Sequence, residues 1–264
     1  MTIFDSLQDY SPTLLLIFVV VYFVAGFIDA VVGGGGLLTV PTLIVALPTQ
    51  PLATLFGTNK IAALSGGIVA ARQYARRIRF DFRLLAAVAI VAFAASFAGA
   101  KIVSKLDSQL LKPFMLLILI AIAIYTFFKK DLGLVASKDL SFGKQLFFGL
   151  LLGLVVGFYD GFFGPGTGSF FVLGFVAVLG FDFLKASAYS KVVNCVTNIV
   201  ALTVFVSQGN YILGLALIMA VANMCGNAVG TRMALTRGNG FVRKLFLVVL
   251  VLLILRYGYD VFLK

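Results

Sequence analysis

The sequence predicts an all-α polytopic membrane protein made of two repeats, each a glycine-broken helical hairpin followed by three transmembrane helices. Composition is the first observation behind that class. Of the 264 residues, 61% are hydrophobic and only 12% charged, and the apolar residues gather in runs long enough to cross a bilayer. The second observation is an internal duplication. Gly26, Phe27, Asp29, Gly33 and Gly35 recur as Gly157, Phe158, Asp160, Gly164 and Gly166, an offset of 131 positions (26 to 157) without a gap. Lys60 recurs as Lys191, Phe80 as Tyr211, Gly99 as Gly230, and Lys101 as Arg232. The chain therefore divides into a first repeat (1–128), a cytoplasmic connector (129–144) and a second repeat (145–264), all within one integral membrane domain.

Residues 1–11 are polar and carry Asp5 and Asp9 without a basic residue. A long apolar leg follows from about Ser11 to Val32. It has no basic flank and no small-residue cleavage site, so it reads as a structural helix and not as a leader. The run Gly33 to Gly36 breaks it. A second leg, Leu37 to Leu47, is short: at about 1.5 Å per residue it covers little more than half of a bilayer core. Pro48 and Pro51 enforce a turn after it. Three spans complete the half, near Leu52–Ala71, Leu84–Ser104 and Leu110–Phe128. The second half repeats the order with Gln145–Phe163, Ser169–Leu179, Phe183–Val206, Ile212–Ala234 and Phe241–Phe262.

Charge placement bears on orientation. The stretch from Arg72 to Arg83 holds five arginines and one aspartate, whereas its repeat partner, Thr203 to Gly214, holds no charge. Equivalent loops on opposite sides of a membrane differ in that way, with the basic loop cytoplasmic. The lysines of the connector and the stretch with Arg232, Arg237, Arg243 and Lys244 fall on the same side. Lys101, Lys105 and Lys112 fall on the other side and count against the assignment. The reading is of inverted repeats with both termini outside.

Several classes drop out. The net charge of +11 comes from basic residues in short loops, which orient a membrane protein and do not mark a nucleic-acid surface. The chain has no His, and all ten acids are Asp, so histidine metal clusters and a Ser-His-Asp arrangement are excluded. No nucleophile–base pair is visible, and neither glycine cluster continues to Gly-Lys-Ser/Thr. The expectation is no enzyme, no cofactor and no resident metal. Cys195 and Cys225 lie in apolar segments and read as buried thiols packed as small hydrophobes.

The breaks carry the chemistry. A broken helix frees N–H and C=O groups that lipid cannot satisfy, so a break must face protein, water or a ligand. The short legs begin at the breaks, and helix N-termini attract anions. The amides near Gly35, Gly36, Gly166 and Thr167 are candidate anion contacts. Lys60 and Lys191 lie deep in their spans, where an ionisable residue is a functional hypothesis, set against snorkelling or a structural ion pair. Thr58-Asn59-Lys60 and Tyr189-Ser190-Lys191 are matching triplets that add Thr58, Asn59 and Ser190. Asn194 and Asn198 share a helical face with Lys191, as ligand contacts or as glue between helices. Asn223 and Asn227 form a similar pair. Asp29 and Asp160 stand where the helix dipole opposes a carboxylate. Each must pair, for example with a lysine, or hold a proton; the sequence leaves both roles open.

These residues resemble the TauE/SafE group, the sulfite and organosulfonate exporters, and most of all its YfcA-type branch. The resemblance covers nearly the whole chain. It rests on Gly26-Phe27-Ile28-Asp29 with Gly33 to Gly36 and Pro41, on Thr58-Asn59-Lys60, on Gly157 to Pro165, and on Lys191 with Asn194 and Asn198. Gly166-Thr167-Gly168 departs from the Ala-Ala-Gly of that branch. The resemblance implies a multi-pass protein of the bacterial inner membrane that moves a small sulfur-containing or organic anion. From Asp29 and Asp160 themselves, protons are a candidate coupling ion, the alternative being that these acids only position the lysines. A passive anion channel and a non-transporting scaffold are the rival readings, and assembly as a homo-oligomer stays open.

Overall fold

The computed structural model describes residues 10–103, 136, 140–162 and 164–262. The expected span over 110–128 and most of the connector over 129–144 lie outside the described residues. Among the described residues every regular element is a helix: α1 (Pro12–Val32), α2 (Gly36–Ala46), α3 (Leu52–Ala75), α4 (Phe82–Val103), α5 (Phe142–Phe162), α6 (Thr167–Ala177), α7 (Phe183–Ser207) and α8 (Leu213–Phe262). Six are long and apolar enough to cross a bilayer, whereas α2 and α6 have 11 residues each. The chain is a multi-pass membrane protein. Its outward faces carry bare Leu16, Val45, Phe82 and Ile90, which only lipid can cover favourably.

The long helices start where the sequence supplies caps. Ser11 Oγ accepts the Leu14 N–H ahead of Pro12 at the first turn. Asp81 Oδ1 accepts from the Arg83 and Leu84 N–H groups at the start of α4, and Asp182 accepts from the Lys185 N–H at the start of α7. The short helices are different. Gly35 and Gly166 occupy their N-caps, so no side chain covers those ends.

One boundary departs from expectation: α5 begins at Phe142, inside the expected connector, since no proline stands between Ser141 and Gln145. α8 holds both spans expected at 212–234 and 241–262, and Gly238 (φ 72°, ψ −170°) lies outside helical geometry and divides it into two helices between them. A single positive-φ glycine makes that break without a proline. The thiols also divide: Cys195 is buried as expected, but Cys225 is exposed on the lipid-facing side of α8.

Packing exchanges the halves. α1 lies along α8, with Gly26 against the Asn223 backbone and Gly230 against the Phe27 backbone. α5 lies along α4, with Gly157 against Ala92 and Gly99 against Phe158. Each contact of the second pair is a contact of the first displaced by 131 positions, with the two halves swapped. Small residues at these points let the helices approach closely. α3 and α7 pass antiparallel at the centre, where Lys60 meets Asn198 and Gly67 lies against Cys195. The larger apolar cluster surrounds Tyr74, Phe171, Phe175, Phe183 and Tyr189; a smaller one surrounds Phe18, Tyr22, Leu43 and Met219.

A candidate anion site between two broken helices

α1 ends at Val32, and Gly33 and Gly34 reverse the chain with φ of 71° and 99°. α5 ends at Phe162, and Gly164 and Gly166 reverse it with φ of 84° and 86°. The two reversals touch. A Cβ on Gly33 would stand 2.5 Å from the Gly168 Cα, so the crossing admits no side chain.

The end of α1 is fully capped. The last C=O groups of a helix lack intrahelical partners and must find others. Here Asp29 O accepts from the Gly33 N–H (3.0 Å) and from Lys191 Nζ (2.7 Å). Ala30 O accepts from Tyr74 OH (2.9 Å), and Val31 O from Ser187 Oγ (2.7 Å). Val32 O and Gly33 O both accept from Ser169 Oγ (3.1 and 2.9 Å).

The end of α5 is not built that way. The positions equivalent to Tyr74, Ser187 and Ser169 are Phe205, Phe56 and Leu38, none of which carries a hydroxyl. A cavity of about 430 Å³ lies there instead, with Phe56 and Phe205 in its wall at a ring separation of 6.4 Å. That volume suits a small ligand. It extends toward Leu52, Val204 and Gln208, at the start of α3 and the end of α7. On the opposite side it stops at the glycine crossing, where Gly34 and Gly168 form its wall. Phe175, Phe181 and Tyr189, which do not line it, pack together with ring centroids 5.1–5.8 Å apart.

Both lysines stand about two turns into their helices, and each reaches the aspartate of the other half. Lys191 Nζ is 2.6 Å from Asp29 Oδ2, and Lys60 Nζ is 3.6 Å from Asp160 Oδ1. The pairs correspond by the same exchange but are unequal. Lys191 is held by a carboxylate and a carbonyl, and its side chain is 3% exposed. Lys60 turns instead to Asn198 Oδ1 (2.6 Å), is 13% exposed, and faces the cavity. The Asn198 amide donates onward to Asn194 Oδ1 at 3.1 Å.

The structure brings most of the expected site residues together. Gly35, Gly36, Asn59, Lys60, Gly166, Thr167, Asn194 and Asn198 line the cavity, with Asp29 and Asp160. Asn59 is engaged there, its Oδ1 accepting from Tyr22 OH at 2.9 Å. Thr58, Ser190 and Lys191 do not line it. The Thr58 hydroxyl accepts the Ile212 N–H (2.9 Å) and donates to Thr54 O, which makes it the counterpart of Tyr189 OH accepting the Asp81 N–H (2.6 Å). Ser190 Oγ donates to Gly168 O at 2.8 Å and steadies the start of α6. Thr167 lines the cavity, yet its N–H and hydroxyl both donate to Gly164 O (3.3 and 2.6 Å). The first backbone bond of α2 is Leu37 N–H to Gly34 O (3.0 Å), so the Gly35 and Gly36 amides precede the bonded ladder and stand at the cavity.

Sequence reasoning did not select Phe56, Phe205, Thr39 or Gln208, which also line the cavity. The apolar pair offered no chemical signal apart from the missing hydroxyls at duplicated positions. Asn223 both lines the cavity and donates to Tyr22 O at 3.2 Å, so it serves as contact surface and glue.

Comparisons with known proteins point to one family. The family profile described as Sulfite exporter TauE/SafE matches residues 18–257. A probable membrane transporter protein, ORF9, of Sinorhizobium sp is 38% identical over 254 residues, 96% of each chain. One from Haemophilus influenzae is 34% identical over 96% of this chain and 98% of its own. The probable membrane transporter protein YfcA of Escherichia coli K12 is 35% identical over 98% of this chain and 95% of its own. These relatives are named as transporters and not as enzymes. No solved structure matches the chain. The chain belongs to the TauE/SafE sulfite exporter family of membrane transporters.

Proposed function

We propose that the chain is a secondary transporter, an exporter in the bacterial inner membrane, for a small organic or sulfur-containing anion such as sulfite, a sulfonate or a carboxylate. One observation carries the reading: a lysine ammonium faces a cavity of about 430 Å³ at the point where two helices break. Lys60 supplies the charge. The amides of Gly35, Gly36 and Gly166 supply oriented dipoles, and Asn194 and Asn198 supply hydrogen bonds. Within the membrane this group substitutes for the water that the anion leaves behind.

The repeats are inverted in this reading. α3 and α7 are equivalent by the duplication and pass antiparallel, which supports a two-fold axis in the membrane plane, as in other transporters built on broken helices. The cavity then opens away from the arginine-rich loop between α3 and α4. Its closed end at the glycine crossing favours a carrier over an open channel.

The test uses the purified full chain in liposomes, with sulfite, methanesulfonate and acetate as probes. We expect saturable flux of at least one anion. Lys60→Gln should lower that flux about ten- to a hundredfold, the equivalent of one charge-assisted hydrogen bond. Movement of cations with no anion flux overturns the reading, and anion flux that never saturates turns it into a channel.

A further inference from the structure

We propose that transport is coupled to protons at Asp160 and not at Asp29, with the proton and the anion carried in the same direction. The chain then exports only where the outward anion gradient exceeds the inward pH gradient. The inference rests on the transporter reading above and assigns different work to two ion pairs that the duplication made equivalent.

The first observation is geometric. Asp29 is occupied, because its Oδ2 binds Lys191 Nζ at 2.6 Å and the same ammonium holds the Asp29 carbonyl at 2.7 Å. Asp160 is not. Its side chain is 1% exposed, yet neither carboxylate oxygen has a hydrogen-bond partner, and Lys60 stands off at 3.6 Å while bonding Asn198. An ionised carboxylate withdrawn from water without hydrogen bonds is costly, and a proton removes that cost.

The second observation is the surroundings. Among the described residues of the cavity wall, Lys60 of α3 is the basic side chain facing Asp160, and Asp29 of α1 is the other acid. α7 presents the neutral Asn194 and Asn198, α4 presents Ala100, and α6 with its preceding loop presents Gly164, Gly166 and Thr167. Lys191 of α7 is committed to Asp29.

Charge bookkeeping sets the stoichiometry. Without cargo, Lys60 and Asp160 carry opposite charges and the pair is neutral. An anion drawn to Lys60 alone would leave the buried site with a net negative charge. One proton placed on Asp160 together with one anion on Lys60 restores neutrality: the carboxylate becomes a carboxylic acid, and the ammonium keeps its proton and changes partner. Loaded and empty sites then cross the low-dielectric interior with the same net charge, which avoids the desolvation cost of an unpaired ion.

The experiment uses the full chain in liposomes with radiolabelled methanesulfonate, a strong-acid anion whose own charge does not follow pH. Two quantities are read: accumulation driven by a pH gradient, and exchange of labelled for unlabelled anion at equal pH on both sides. One proton per anion makes one unit of pH gradient equivalent to about a tenfold anion gradient, with the anion accumulating on the alkaline side. Asp160→Asn should lose gradient-driven accumulation while exchange continues at a reduced rate. Asp160→Glu should retain both. Asp29→Asn should reduce the yield of monodisperse protein, while the protein that does fold still accumulates the anion. If Asp160→Asn still accumulates methanesulfonate as the parent does, or if Asp29→Asn alone abolishes accumulation, the inference is overturned and the transporter reading stands. If the parent moves none of sulfite, methanesulfonate and acetate, both fall.

Discussion

Gly33 meets two demands at once. Its φ of 71° lies in the region that side chains disfavour, and its Cα faces the Gly168 backbone across the crossing of the two tips. Gly33→Ala should therefore lower stability by about 1–3 kcal/mol from backbone strain alone, with steric overlap added to it. The melting temperature of the detergent-purified variant, followed by circular dichroism, checks this. The two lysines should separate in the same assay. Lys191→Ala removes a buried ammonium that holds both the Asp29 carboxylate and the Asp29 carbonyl, and should cost about 3–5 kcal/mol. Lys60→Gln, at a site that water can reach, should melt near the parent temperature while losing flux. Residues of this kind were legible in the sequence, since a deep charge or a glycine cluster stands out against apolar surroundings. The partners were less so. Thr58 and Ser190 looked like ligand contacts because their hydroxyls flank the lysines, but backbone groups from α8 and α6 take those hydroxyls.

At the scale of elements, α1 and α5 differ in how they end. The carbonyls of α1 are taken by Tyr74, Ser187 and Ser169, whose counterparts near α5 are Phe205, Phe56 and Leu38. Tyr74→Phe should orphan Ala30 O in a dry environment and cost about 1–3 kcal/mol. Phe205→Leu, which touches no hydrogen bond, should leave the melting temperature of the purified protein nearly unchanged. The spans, the two breaks and the helix starts at Ser11 and Asp182 could be read locally, because a cap or a glycine acts on its immediate neighbours. The capping of α1 could not. Tyr74 and Ser187 lie 44 and 156 positions from the carbonyls they serve, and nothing in one sequence joins such distant positions. The break between the last two spans was local as well: it falls at Gly238, inside the charged stretch that separates the two apolar runs.

Across the whole molecule, the sidedness of the loops can be measured. In a Cys225→Ser background, a membrane-impermeant thiol reagent should label Ser207→Cys in intact cells. Arg79→Cys should react only after the membrane is opened, the outcome that the proposed cytoplasmic placing of the arginine loop requires. Both positions are exposed, so the absence of labelling would report sidedness and not burial.

The exchange of partners between the halves has a further consequence. α1 leans on α8, α5 leans on α4, and each of the two deep lysines answers a carboxylate from the far side of the duplication. Neither lysine takes its counter-charge from its own half, so, with the repeats inverted as proposed, a half-length ancestor would have met these needs by pairing with a second copy of itself lying upside down in the bilayer. The present chain has the logic of such a pair joined end to end. Joining freed the two copies to diverge, so that one could keep its polar seams closed while the other left them open for cargo.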